Sequence, residues 1–94
     1  MTAATITSNA VVLILTFNDA AAEHNTKTEY IPRRAIELVR LPNDAASVVV
    51  RFDNGSHTNF SASPAKGSIT IGTVDGAAPA DNDALALALA NLIL

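Results

Sequence analysis

Few side chains in this sequence have catalytic potential, and those few are scattered. The chain holds two histidines, His24 and His57, and no cysteine. Acid–base or nucleophilic chemistry needs a nucleophile beside a base, a pair of carboxylates, or a metal. A zinc site needs several ligands at suitable spacing, and two isolated histidines in polar surroundings do not supply them. Serines are plentiful, but none sits in a Gly-x-Ser-x-Gly elbow. The four glycines, Gly55, Gly67, Gly72 and Gly76, make neither a phosphate-binding loop nor a dinucleotide fingerprint. Asp81-Asn82-Asp83 carries carboxylates at an alternating spacing. It lacks the central glycine and closing glutamate of a calcium loop, and helix capping is the better account. Asn54-Gly55-Ser56 and Asn59-Phe60-Ser61 match the glycosylation pattern, with no secretory signal to give it meaning. The residues predict no enzyme, no cofactor and no metal.

Charge narrows the partners. Six basic residues stand against nine acidic ones, for a net charge of −3. Nucleic-acid binding needs a basic stripe that neutralises phosphates, and Arg33-Arg34 is the only adjacent basic pair. It reads as a solvated strand entry or as a salt-bridge donor to a carboxylate such as Glu37. Met1-Thr2-Ala3-Ala4-Thr5 lacks the positive start of a signal peptide. The apolar runs at 11–15 and 84–94 are shorter than the roughly 20 residues of a membrane span. The sequence therefore predicts a soluble protein left in the cytosol, bound to neither nucleic acid nor membrane. With 94 residues, it forms a single domain over 1–94.

The elements that would position any site follow from hydrophobic pattern and turn chemistry. Thr5-Ile6-Thr7 is a short first strand. Val11 to Phe17 is apolar on both alternating faces, the pattern of a strand covered on both sides, and is expected to be central. Asn18 to Thr28 has no clear period and forms a long loop or a single helical turn; loops this long are often contact surfaces. Tyr30-Ile31-Pro32 is extended, because the residue before proline avoids the α region. Ala35 to Leu41 alternates as a strand and ends at the turn Leu41-Pro42-Asn43-Asp44.

Asn54-Gly55 between Val48–Phe52 and Thr58–Phe60 is a strong hairpin signal. A three-residue loop with Gly55 in the left-handed region pairs Phe52 with Ser56, Val50 with Thr58 and Val48 with Phe60. It gathers Val48, Val50, Phe52 and Phe60 on one face, so the apolar pattern selects this register over a two-residue loop. Ser68 to Val74 is a further strand, closed by Asp75-Gly76.

In the last segment Leu and Ala alternate, which is a strand period. Both are strong helix formers, however, and Asp81-Asn82-Asp83 is a capping cluster. The sequence predicts a helix over about 81–94. Its stripe is Leu85, Ala88, Leu89, Leu92 and Ile93. Leu87, Ala90 and Leu94 fall on its back, and a helix apolar nearly all round is normally buried.

The expected fold is α+β: an antiparallel sheet or partly closed small barrel of about five or six strands, with one C-terminal helix packed on it. The candidate core is Val11, Leu13, Leu15, Phe17, Ile36, Leu38, Val48, Val50, Phe52, Phe60, Ile69, Ile71, Leu85, Leu89 and Leu92. The candidate contact residues are Asn18, Asp19, Glu23 and His24 in the long loop, with Leu87 and Leu94 on the helix back.

The second half carries a resemblance. Ser47-Val48-Val49-Val50-Arg51-Phe52-Asp53-Asn54-Gly55, then Ser68-Ile69-Thr70-Ile71, then Asp81-Asn82-Asp83-Ala84-Leu85 form a strand, turn, strand and capped helix. This layout, over residues 47–94, resembles the small β-rich virion proteins of tailed bacteriophages known as structural, cement or decoration proteins. The resemblance implies a non-enzymatic homo-oligomer, made in the host cytoplasm and bound to the major capsid protein and to copies of itself on the capsid surface of the virion. The alternative is a small monomeric binding module that recognises a peptide or sugar on a polar sheet face formed by Arg51, His57, Thr58 and Asn59.

Overall fold

The computed structural model describes residues 4–9, 11–17, 27–63 and 67–93. Among the described residues there are seven strands and one α-helix: β1 (Ala4–Ser8), β2 (Val12–Phe17), β3 (Thr28–Pro32), β4 (Ile36–Arg40), β5 (Val48–Phe52), β6 (His57–Ser61), β7 (Ile69–Val74) and α1 (Asn82–Leu92). The strand order is β3-β2-β1-β7-β6-β5-β4. β1–β2–β3 and β4–β5–β6 are antiparallel meanders. β7 lies between them and pairs in parallel with β1 and with β6.

Chain connectivity forces this sheet to fold over. In a flat sheet the outermost of seven strands would stand about 29 Å apart. Yet β3 and β4 are those outermost strands, and only a 3-10 turn, Arg33–Ala35, joins them. Four Cα steps reach at most about 15 Å. The turn is a corner where the chain leaves one meander and enters the other. Arg33 N–H donates to Val11 O at 3.1 Å on the β2 side, and Ala35 O accepts from Asp53 N–H at 3.0 Å on the β5 side.

β7 makes the second corner. Its start, Ile69 and Thr70, pairs with Phe60 and Ser61 of β6. From Ile71 onward it pairs with β1, across an irregularity beside Ala4 and Thr5. Strands that pass between packed sheets at a bulge are a general way to turn such corners. The result is a curved mixed sheet that is not a closed barrel, since β3 and β4 do not pair.

Three expectations change here. The sheet has seven strands rather than five or six, and it is mixed rather than antiparallel. Parallel neighbours ordinarily need a crossover of a dozen residues or more. Residues 62–68 suffice because β7 begins where β6 ends, so only two residue pairs form. β2 is also not central; β7 is.

The inner faces of both meanders and α1 make one core. Leu13, Leu15, Phe17, Val48, Val50, Phe60, Ile69, Ile71, Leu85, Leu89 and Leu92 are buried as expected, and Ile36 and Phe52 pack against them. Ala4, Ile6 and Val74 join them.

Two expected core residues lie elsewhere. Val11 is 70% exposed, because the Asn9 side chain accepts from the N–H of both Val11 and Val12, and this turn keeps Val11 out of the strand. Leu38 faces outward, opposite Arg51, because a bulge between Ile36 and Leu38 shifts the alternation and sends Val39 inward opposite Val50. A cavity of about 20 Å³ remains between the meanders, walled by side chains such as Leu13, Ile31, Val39 and Leu89. That is room for about one water molecule, whereas small-molecule pockets run to several hundred Å³. Among the described residues no helix is long and apolar enough to cross a membrane.

The β5–β6 hairpin takes the three-residue register. Val48 pairs with Phe60 and Val50 with Thr58. Phe52 N–H donates to Ser56 O at 2.9 Å, and Gly55 has φ +87°. A Cβ at Gly55 would meet nothing within 4 Å, so substitution there tests backbone strain alone. Gly55→Ala is expected to lower unfolding stability by about 1–2 kcal/mol in urea denaturation, the cost of left-handed backbone for a side-chain-bearing residue.

Candidate interaction surfaces

Among the described residues, three surfaces lie outside the core. The first is the outer face of the β1–β2–β3 meander. Leu13, Leu15 and Phe17 of β2 point inward, so Val12, Ile14 and Thr16 point outward and are half-buried. The register sets them in rows: Thr7, Ile14 and Tyr30 lie side by side, and Val12 lies beside Pro32. Thr5, Thr16 and Thr28 form a third row, which Thr73 of β7 extends. Cross-strand threonine pairs of this kind support a sheet through side-chain packing and hydrogen bonding. Tyr30 is 68% exposed, and Val11 adds its side chain at the corner. A surface groove there is lined by Val11, Val12, Pro32 and Arg34. Single exposed apolar residues are ordinary; here several lie contiguous on one face.

The second surface is the back of α1. Asp81 caps the helix, its carboxylate accepting from Ala84 N–H at 2.9 Å. Leu85, Leu89 and Leu92 anchor the buried face. Leu87 points away and is 65% exposed.

The third is the outer face of β4–β5–β6. One row reads Leu38, Arg51, His57, and the next reads Arg40, Val49, Asn59. Glu37, at the bulge, accepts from Arg51 Nη2 at 2.7 Å. Both side chains of this ion pair are well exposed, so it contributes at most about 1 kcal/mol. Thr58 does not belong to this face. It lies opposite the buried Val50, so the polar face is Arg51, His57 and Asn59 without it.

Of the contact residues expected from sequence, only Leu87 falls among the described residues, and it is exposed. Asn18, Asp19, Glu23, His24 and Leu94 lie outside them. His57 is on the outer face of β6, opposite Arg51. Among the described residues no group of three or more His, Asp or Glu side chains is placed to hold a metal ion. Sequence reasoning missed Ile14 and Tyr30 as surface residues, although the signal was present: β2 is apolar on both faces, and only one face had a core to enter. No protein-family model, curated protein or solved structure matches the chain.

Proposed function

We propose that the protein is a non-enzymatic structural component of a bacteriophage particle, decorating or cementing the capsid through contacts with the major capsid protein and with copies of itself. The observation that carries this reading is the outward apolar face of β2–β3, where half-buried Val12 and Ile14 lie with exposed Tyr30 and Pro32 beside exposed Val11. A tyrosine among aliphatic side chains is a common energetic centre of protein interfaces. The exposed Leu87 gives the helix back a second apolar point. Small size and an acidic charge of −3 fit a chain that adds to a protein shell rather than to nucleic acid.

Purified particles analysed by mass spectrometry test the proposal. The protein is expected as a component present in many copies, and its absence would sink the idea. Tyr30→Ser is expected to lower shell occupancy about tenfold at subsaturating protein. It should leave the unfolding midpoint nearly unchanged, since the side chain is largely exposed. Equal occupancy for the two proteins would remove β2–β3 as the docking face.

A further inference from the structure

We propose that the outer face of β4–β5–β6 is a separate binding site for an acidic peptide segment, its carboxylate held between Arg40 and Arg51. The register makes Arg40 and Arg51 diagonal neighbours on adjacent strands. Diagonal pairs on one sheet face lie about 7–8 Å apart, within reach of long side chains, so the two guanidinium groups can meet over one carboxylate. With Leu38, Val49 and His57 they line a groove of about 320 Å³.

Charge selects the ligand. Arg51 gives Nη2 to Glu37 and its Nε is buried without a hydrogen-bond partner among the described residues, which leaves Nη1 for a ligand; Arg40 has no partner among the described residues. Asp53, the other carboxylate along β5, stands at the hairpin tip, about 13 Å along the strand from the Arg40 row. Asp44, in the connection that follows Arg40, accepts from Ala46 N–H at 3.1 Å, and Arg40 makes no ion pair with it. Guanidinium donors match a carboxylate in geometry and charge.

The apolar floor selects a peptide over a simple anion. Leu38 and Val49 are half-buried and lie among the cations. An inorganic ion would leave them wet, whereas the stem of a glutamate and its aliphatic neighbours would cover them.

The test is an NMR titration of the full chain with a blocked pentapeptide, a central glutamate flanked by leucines. Its glutamine counterpart and inorganic phosphate serve as comparison probes. The expected result is saturable shifts at the amides of Val49, Arg51 and His57 with the glutamate peptide. They should be about fivefold weaker in affinity for Arg40→Gln and stronger for Glu37→Gln, which frees Arg51. Arg40 is exposed, and a dispersed spectrum of the variant establishes that it folds. Equal binding of the glutamine peptide overturns the proposal, as does unchanged affinity in Arg40→Gln. Phosphate binding as tightly as the peptide overturns the peptide assignment in favour of a general anion site. Since Tyr30 lies on the other meander, Tyr30→Ser should leave this titration unaltered; loss of binding there would count against two separate sites.

Discussion

Leu85→Ala is expected to lower the free energy of unfolding by about 2–5 kcal/mol, whereas Leu87→Ala, two positions on, should change it by less than about 0.5 kcal/mol. Leu85 is fully buried and Leu87 is 65% exposed. Both are leucines in the same helix, so propensity is equal and burial alone separates them. An isolated helix of this length is marginal in water. α1 persists because Leu85, Leu89 and Leu92 enter the core against β4, β5 and β7. Truncating Leu85 removes transfer energy and leaves a cavity beside strands that cannot fully close on it. A domain of this size has a total stability of roughly 5–14 kcal/mol, so the variant loses a large share. Urea denaturation of the two variants side by side decides the matter. Equal losses would mean that the helix presents a different face to the sheet.

The same helix shows what sequence could and could not convey. The alternation of Leu and Ala suits a strand, but their helix propensity and the capping cluster Asp81-Asn82-Asp83 outweigh it, and in the structure the Asp81 carboxylate accepts from Ala84 N–H. The β5–β6 register was legible because Val48, Val50 and Phe60 needed one face and Gly55 allowed the turn that gives it. Parallel pairing was not legible. It depends on where β7 begins relative to the end of β6, a stagger that hydrophobic period does not encode.

Leu38 and Val39 exchanged roles because a bulge moves parity by one residue, and no residue type announces it. The corner at Arg33–Ala35 was visible only as Tyr30-Ile31-Pro32, an extended entry. Its consequence, two meanders facing each other, follows from long-range pairing. The sequence of β2, apolar on both alternating faces, has the pattern of a strand covered on both sides. The core takes Leu13, Leu15 and Phe17 on one side of the sheet, which leaves Val12 and Ile14 facing outward.

Asn82→Ala should cost about 2–3 kcal/mol although it removes no apolar contact of note. Asn82 is the first helical residue, and its side chain reaches two other segments. Its Oδ1 accepts from Ala62 N–H at 2.8 Å, just past the end of β6. Its Nδ2 donates to Ala45 O at 2.6 Å, in the connection between β4 and β5. Ala45 has φ +52°, a left-handed backbone that is unfavourable for alanine. A partner for its carbonyl helps hold it there. Removing the amide leaves a partly buried N–H and a partly buried C=O without partners, and each loses a bond that water restores only in part. Asn82→Asp separates the two bonds. It keeps the acceptor for Ala62 and adds a charge favoured at a helix start, but it sets a carboxylate oxygen against the Ala45 carbonyl where the donor stood. Its damage should therefore centre on the Ala45 contact, with faster amide exchange at residues 44–46. If Asn82→Asp matched wild type in both stability and exchange, the bond to Ala45 would contribute nothing, and Ala62 alone would account for the position.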